Sequence, residues 1–149
     1  MKSICLILVL AFAVPAFGAP VPADPKAEIF RQAIATANDA MELHNSVAVS
    51  AESILSRAKP GSRQKRDMEF LGIVLGSYGI YYKQYCTILQ EVGRLEKKAS
   101  PTAMDEANRA EFWRVLPANR DSLRASSVKI AKLAKQMKIA LPAKWDLTR

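Results

Sequence analysis

A single histidine and two cysteines among 149 residues leave little for metal or thiol chemistry. His44 and one cysteine cannot complete a zinc site of the Cys/His type, and a Ser-His or Cys-His pairing could run only through that one imidazole. Cys5 lies in an N-terminal apolar segment, so removal of that segment leaves Cys86 with no partner for an intramolecular disulfide. No Asn-x-Ser/Thr sequon is present, and no stretch alternates with the period of two that a half-buried strand requires. Gly72, Gly76 and Gly79 are spaced through a helical pattern, not gathered at a helix start, so they form no phosphate loop. The carboxylate pairs Asp39 with Glu42 and Asp105 with Glu106 lack apolar surroundings that would raise a pKa for acid catalysis. The expectation is a non-enzymatic protein with no catalytic residues, no metal, no cofactor, no nucleic-acid partner and no small-molecule substrate.

What is present begins with an address for export. Lys2, the apolar run Ile4 to Val14 and the small-x-small site Ala16-Phe17-Gly18 read as a secretory signal peptide over residues 1–18, too short to span a membrane, leaving 19–149 as a single helical domain. After an extended lead-in, Asp24-Pro25 is a helix start: an N-cap acceptor followed by proline at the first helical position. Phe30, Ile34, Ala37, Met41, His44, Ala48, Ala51 and Leu55 then recur at steps of three and four, predicting one helix to about Arg57, ahead of Lys59-Pro60-Gly61. His44 falls on that stripe as a packed histidine. Ser62 can cap a second long helix to about Lys98, with Leu71, Val74, Leu75, Tyr78, Tyr82, Tyr85, Leu89 and Val92 inward. Cys86 lies beside that stripe. Ser100-Pro101 opens a third, shorter helix that Pro117 is expected to close; Asn119 then caps a fourth, reaching about Ile139 before Pro142. The predicted fold class is all-α, a bundle of four to five helices with two long antiparallel ones.

Two features of this plan could act on a partner. From Ala19 to Asn108 eleven Lys/Arg balance eleven Asp/Glu, whereas Arg109 to Arg149 carries ten Lys/Arg against Glu111, Asp121 and Asp146. On the last predicted helix Ile130, Leu133, Ala134, Met137 and Leu141 share one side. Lys129, Lys132, Lys135 and Lys138 spread across the other, with no acid among them to form the i,i+4 pairs of an ordinary solvated face. Together with Arg120 and Arg124 they form a candidate basic face for an anionic partner. Phe70 to Tyr82 carries no charge at all. Phe70, Ile73, Ile80 and Tyr81 within it are either the middle of the bundle, contacted from several sides, or an exposed apolar belt for self-association or membrane contact. Arg63-Gln64-Lys65-Arg66 has the form of a processing site, and equally of an exposed first helical turn.

The layout resembles the egg-lysin family of marine gastropod sperm, which comprises sperm lysin and its fusogenic acrosomal paralogue. The resemblance rests on the signal peptide and long first helix, Gln64-Lys65-Arg66 opening a second long helix, Phe70-Leu71 and the aromatics up to Tyr85, and Leu133 to Lys138-Ile139 with Pro142 shortly after. It implies a secreted protein of the sperm acrosomal vesicle that acts in fertilisation by binding an egg-coat glycoprotein or the egg membrane, to dissolve the coat or assist fusion. A second copy of the chain is a further candidate partner. The neutrality before Arg109 and the uncharged belt depart from the strongly basic long helices of that family, which leans toward a membrane-active or otherwise specialised relative. The alternative is a secreted helical signalling or host-defence protein, processed after Arg66.

Overall fold

The computed structural model describes residues 24–145; the expected signal peptide, the lead-in at 19–23 and the acidic Asp146 and basic Arg149 of the tail lie outside the described residues. The described chain is all-helical: α1 (Pro25–Leu55), α2 (Arg63–Glu96) and α3 (Ala103–Gln136), then a 3-10 turn (Ala143–Trp145). The four to five helices read from the sequence are therefore three, all of them long.

The starts follow the capping chemistry. Asp24 accepts from the Lys26 N–H at 3.0 Å with Pro25 behind it, and Ser62 accepts from the Lys65 N–H at 3.2 Å. The third helix begins slightly later than Ser100-Pro101 suggested. Thr102 is its N-cap, and it forms a reciprocal capping box with Asp105. Lys98 and Thr102 both bond to the Asp105 carboxylate and hold it well below the usual carboxylate range. Gly61, at φ 74, supplies the left-handed residue in the turn between α1 and α2.

Pro117 does not close a helix; it lies inside α3, and Asn119 is an interior residue and not a cap. A proline removes one backbone donor and clashes with the preceding turn, at a cost of about 3 kcal/mol. That cost is met by packing on both sides of the break, where Leu116 and Leu123 are wholly buried and Trp113 packs against the core. Asn119 Nδ2 donates to the Val115 carbonyl at 2.9 Å across the same turn. Two short helices would have had to bury these residues with an extra loop between them.

Cross-helix bonds give the directions. Tyr78 reaches Ala40 and Tyr85 reaches Ala33, so α2 runs antiparallel to α1; Trp113 reaches Glu96 and Ser127 reaches Tyr78, so α3 runs antiparallel to α2 and parallel to α1. The buried side of α1 is mostly alanine: Ala33, Ala37, Ala40, Ala48 and Ala51, with Leu43, His44 and Val47 between. Phe30, Met41 and Leu55, which the sequence placed on the same stripe, are only partly buried at its edges. Opposite the alanines stand Tyr78, Tyr82 and Tyr85, large against small, which is how a core fills without voids.

Three deep hydroxyls, those of Tyr78, Tyr85 and Ser127, find acceptors. Tyr85 donates to the Ala33 carbonyl at 3.1 Å. Ser127 donates to the Leu123 carbonyl at 2.9 Å, which leaves its oxygen to accept from Tyr78 at 2.6 Å. His44 stacks on Tyr78 with ring centroids 6.1 Å apart, and burial pushes its pKa down, so it packs as a neutral ring. Burial likewise pushes the partly buried Cys86 thiol up, away from the reactive thiolate.

Two expectations follow. Burial pushes Tyr78 up to about 12 and moves Tyr82 and Tyr85 in the same direction, whereas unfolded tyrosines ionise near pH 10. Above that pH the native state holds more protons than the unfolded one, so stability should fall as pH rises from about 10 toward 12. Tyr78→Phe should make that fall shallower while costing about 1 kcal/mol at neutral pH, read from denaturant midpoints across the pH series. Pro117→Ala restores the missing N–H and should raise stability by about 1–3 kcal/mol; a loss on thermal unfolding would mean that α3 depends on its proline.

Candidate functional site

The C-terminal half of α3 sorts its residues by charge. Leu123, Ser127, Ile130, Ala131 and Ala134 are buried against the other helices, while Arg124, Lys129, Lys132 and Lys135 are exposed. No acidic residue occurs from Ser122 to Ala143. Arg124, Lys129 and Lys132 have no hydrogen-bond or ion-pair partner among the described residues. Elsewhere several exposed charges pair within their own helix, as in Arg31 with Glu28, Arg94 with Glu91 and Arg114 with Glu111. What sets the basic face apart is its run of cations with no acid between them in the sequence.

The six cations are not equivalent. Arg120 is 23% exposed and is held by Asp121 at 2.9 Å and by Gln32 of α1 at 2.7 Å, so it belongs to the seam between α1 and α3. Arg124 stands one turn further along the same seam. Lys129 and Lys132 look outward. Lys138 is no longer on the helix: α3 ends with Met137 as its cap, and Lys138 takes φ 59. The Ile139 N–H bonds to the Ala134 carbonyl at 2.9 Å and the Lys138 N–H to the Lys135 carbonyl at 3.0 Å, the two bonds of a Schellman turn. Glycine is the usual occupant of that left-handed position. Here it is a lysine, which keeps a charge at the cost of backbone strain.

The apolar belt divides. Phe70, Ile73 and Ile80 are 54%, 71% and 63% exposed on the outer side of α2, so the reading of the belt as bundle interior fails for these three. Tyr81 goes the other way: it packs against the core and donates to the Asn119 carbonyl at 3.3 Å. Between Ile73 and Ile80 lies exposed Gly76, where an added Cβ would meet nothing within 4 Å. The result is an uncharged outer stripe on a different helix from the basic face.

Among the remaining candidates, Arg63 to Arg66 forms the first turn of α2, with Arg63 paired to Asp67 and Arg66 bonded to the Gly61 carbonyl at 2.6 Å. A protease takes its substrate extended, so cleavage after Arg66 would first have to unwind this turn. Asp39 and Glu42 do converge, but on Lys144, whose pKa they raise. No group of three or more metal-ligating side chains occurs among the described residues, and none of the described helices is long and apolar enough to cross a membrane.

Lys138→Gly should relieve the left-handed strain and raise stability by about 1 kcal/mol while removing one charge, so thermal unfolding and polyanion binding should move in opposite directions. Comparison with family models, with curated proteins and with solved structures gives no match to this chain.

Proposed function

We propose that this chain is a secreted, non-enzymatic contact protein of the egg-lysin type, released from the sperm acrosomal vesicle, that docks on an anionic egg-coat glycoprotein or on the egg membrane. The observation that carries the reading is the face of Arg124, Lys129, Lys132, Lys135 and Lys138, free of interleaved acids and backed by a packed helix side. Near an anionic surface each such cation contributes on the order of 1 kcal/mol, so the face suffices for weak, salt-sensitive adhesion. The exposed Phe70, Ile73 and Ile80 favour the membrane arm, because an uncharged stripe can enter the headgroup region once the cations have brought the protein to the surface.

Reversing Lys129, Lys132, Lys135 and Lys138 to glutamate should abolish retention on a sulfated polysaccharide column and co-sedimentation with anionic vesicles, with helicity unchanged. Unaltered binding to both would remove the electrostatic reading. Immunolocalisation on sperm tests the setting. Signal in the acrosomal vesicle is expected, whereas expression confined to gut or haemolymph would favour a host-defence role instead.

A further inference from the structure

Beside the basic face the tail builds a cleft. After the Schellman turn the chain doubles back along the seam of α1 and α3, burying Ile139 and Trp145. It is fastened there by Lys144, which bonds to Asp39 at 2.6 Å and also to Glu42, while the Trp145 backbone N–H closes the tail's own turn on the Pro142 carbonyl at 2.8 Å. Between this clamp and the two helices is a cavity of roughly 460 Å³, within the size range of small-ligand sites.

Three features of its lining point to one class of occupant. Trp145 is 9% exposed, and its indole Nε1–H is buried with no acceptor among the described residues, although a buried indole donor normally finds one. Arg124 lines the same cleft with its guanidinium unpaired, next to Arg120, whose Asp121 and Gln32 partners leave donors over. Lys144 is held by Asp39 and Glu42 and Arg120 by Asp121, so the cation of the cleft without an acidic partner among the described residues is Arg124. The third feature is a pair of acceptors: the Asp39 carboxylate and the hydroxyl of Thr36, which donates to the Gln32 carbonyl and keeps its lone pairs for an incoming donor.

Fork-shaped cations, an aromatic wall and acceptors for hydroxyl protons suit a ligand that carries an anion and several hydroxyls on one ring. A bare phosphate would meet the Asp39 carboxylate without using it. We propose that the cleft binds an anionic sugar residue, sulfated or carboxylated, with its charged group on Arg124 and Arg120 and its ring against the Trp145 wall. This deepens the docking role above and rests on that reading, giving the anionic coat a specific point of attachment where the lysine face gives only general attraction.

The chain contains two tryptophans, so its nitrogen-proton spectrum holds two indole signals: Trp113, bonded to Glu96 at 2.6 Å, and Trp145, unbonded. Titration with a sulfated disaccharide should move the Trp145 signal saturably and leave that of Trp113 in place. Arg124→Gln, an exposed change, should weaken the response about tenfold or more. The variant with the four lysines reversed should retain it. A failure of vesicle or polysaccharide binding in that variant therefore bears on the docking face, and a failure at Trp145 bears on the cleft. An immobile Trp145 signal, an equal response to a neutral disaccharide, equal affinity for inorganic sulfate, or a response to anionic vesicles alone would each overturn the proposal. So would unchanged affinity in Arg124→Gln, or loss of the response in the lysine variant.

Discussion

The alanines on the buried side of α1 set the terms for everything packed against them. A row of Ala33, Ala37, Ala40, Ala48 and Ala51 offers almost no side-chain bulk, so the facing helix must bring large residues to fill the space, and α2 brings three tyrosines. A tyrosine used this way carries a hydroxyl into the core, and a buried hydroxyl without a partner would cost more than its ring gains. Short side chains solve that difficulty as well, because they leave the α1 backbone open for Tyr85 to reach the Ala33 carbonyl. The same logic extends to α3, where Ser127 is small enough to be buried and polar enough to receive Tyr78.

With the inner sides committed to this arrangement, the outer sides of the helices are free to differ. On α1 and on the first half of α3, charges of both signs sit three residues apart and cancel locally. On α2 the stretch from Phe70 to Ile80 drops charge altogether, and on α3 beyond Asp121 it keeps one sign only. These two surfaces lie on different helices of the three-helix frame. The tail adds a third element by closing part of the α1–α3 seam and fixing an indole there with a lysine bridged to two carboxylates.

Much of this was legible in the chain. The starts of α1 and α2 were readable to the residue because capping is local: Asp24-Pro25 and Ser62 satisfy orphan N–H groups within their own first turn. The inner side of α2 was readable because Leu, Val and Tyr give strong periodic contrast, and the lysine face because charge is visible without a fold. The orientation of α1 was less so. Alanine contrasts weakly with its neighbours, and the larger Phe30, Met41 and Leu55 drew the apparent stripe toward what proved to be its edge.

Composition and local chemistry by themselves determined that the chain is helical, where its first two helices begin, that its charge surplus lies at the C-terminal end, and that a Cys/His zinc site lacks its residues. Only the tertiary structure decided that α3 runs through Pro117, since a proline's local penalty can be outweighed by burial of Leu116 and Leu123 that the sequence does not place. It also decided that Phe70, Ile73 and Ile80 face outward while Tyr81 turns in, because a helix apolar all round does not state which side meets its neighbours. The cleft at Trp145 belongs to the same class: it joins residues of α1, α3 and the tail that no spacing relates, and it exists because the chain reverses at Lys138 and is pinned on Asp39.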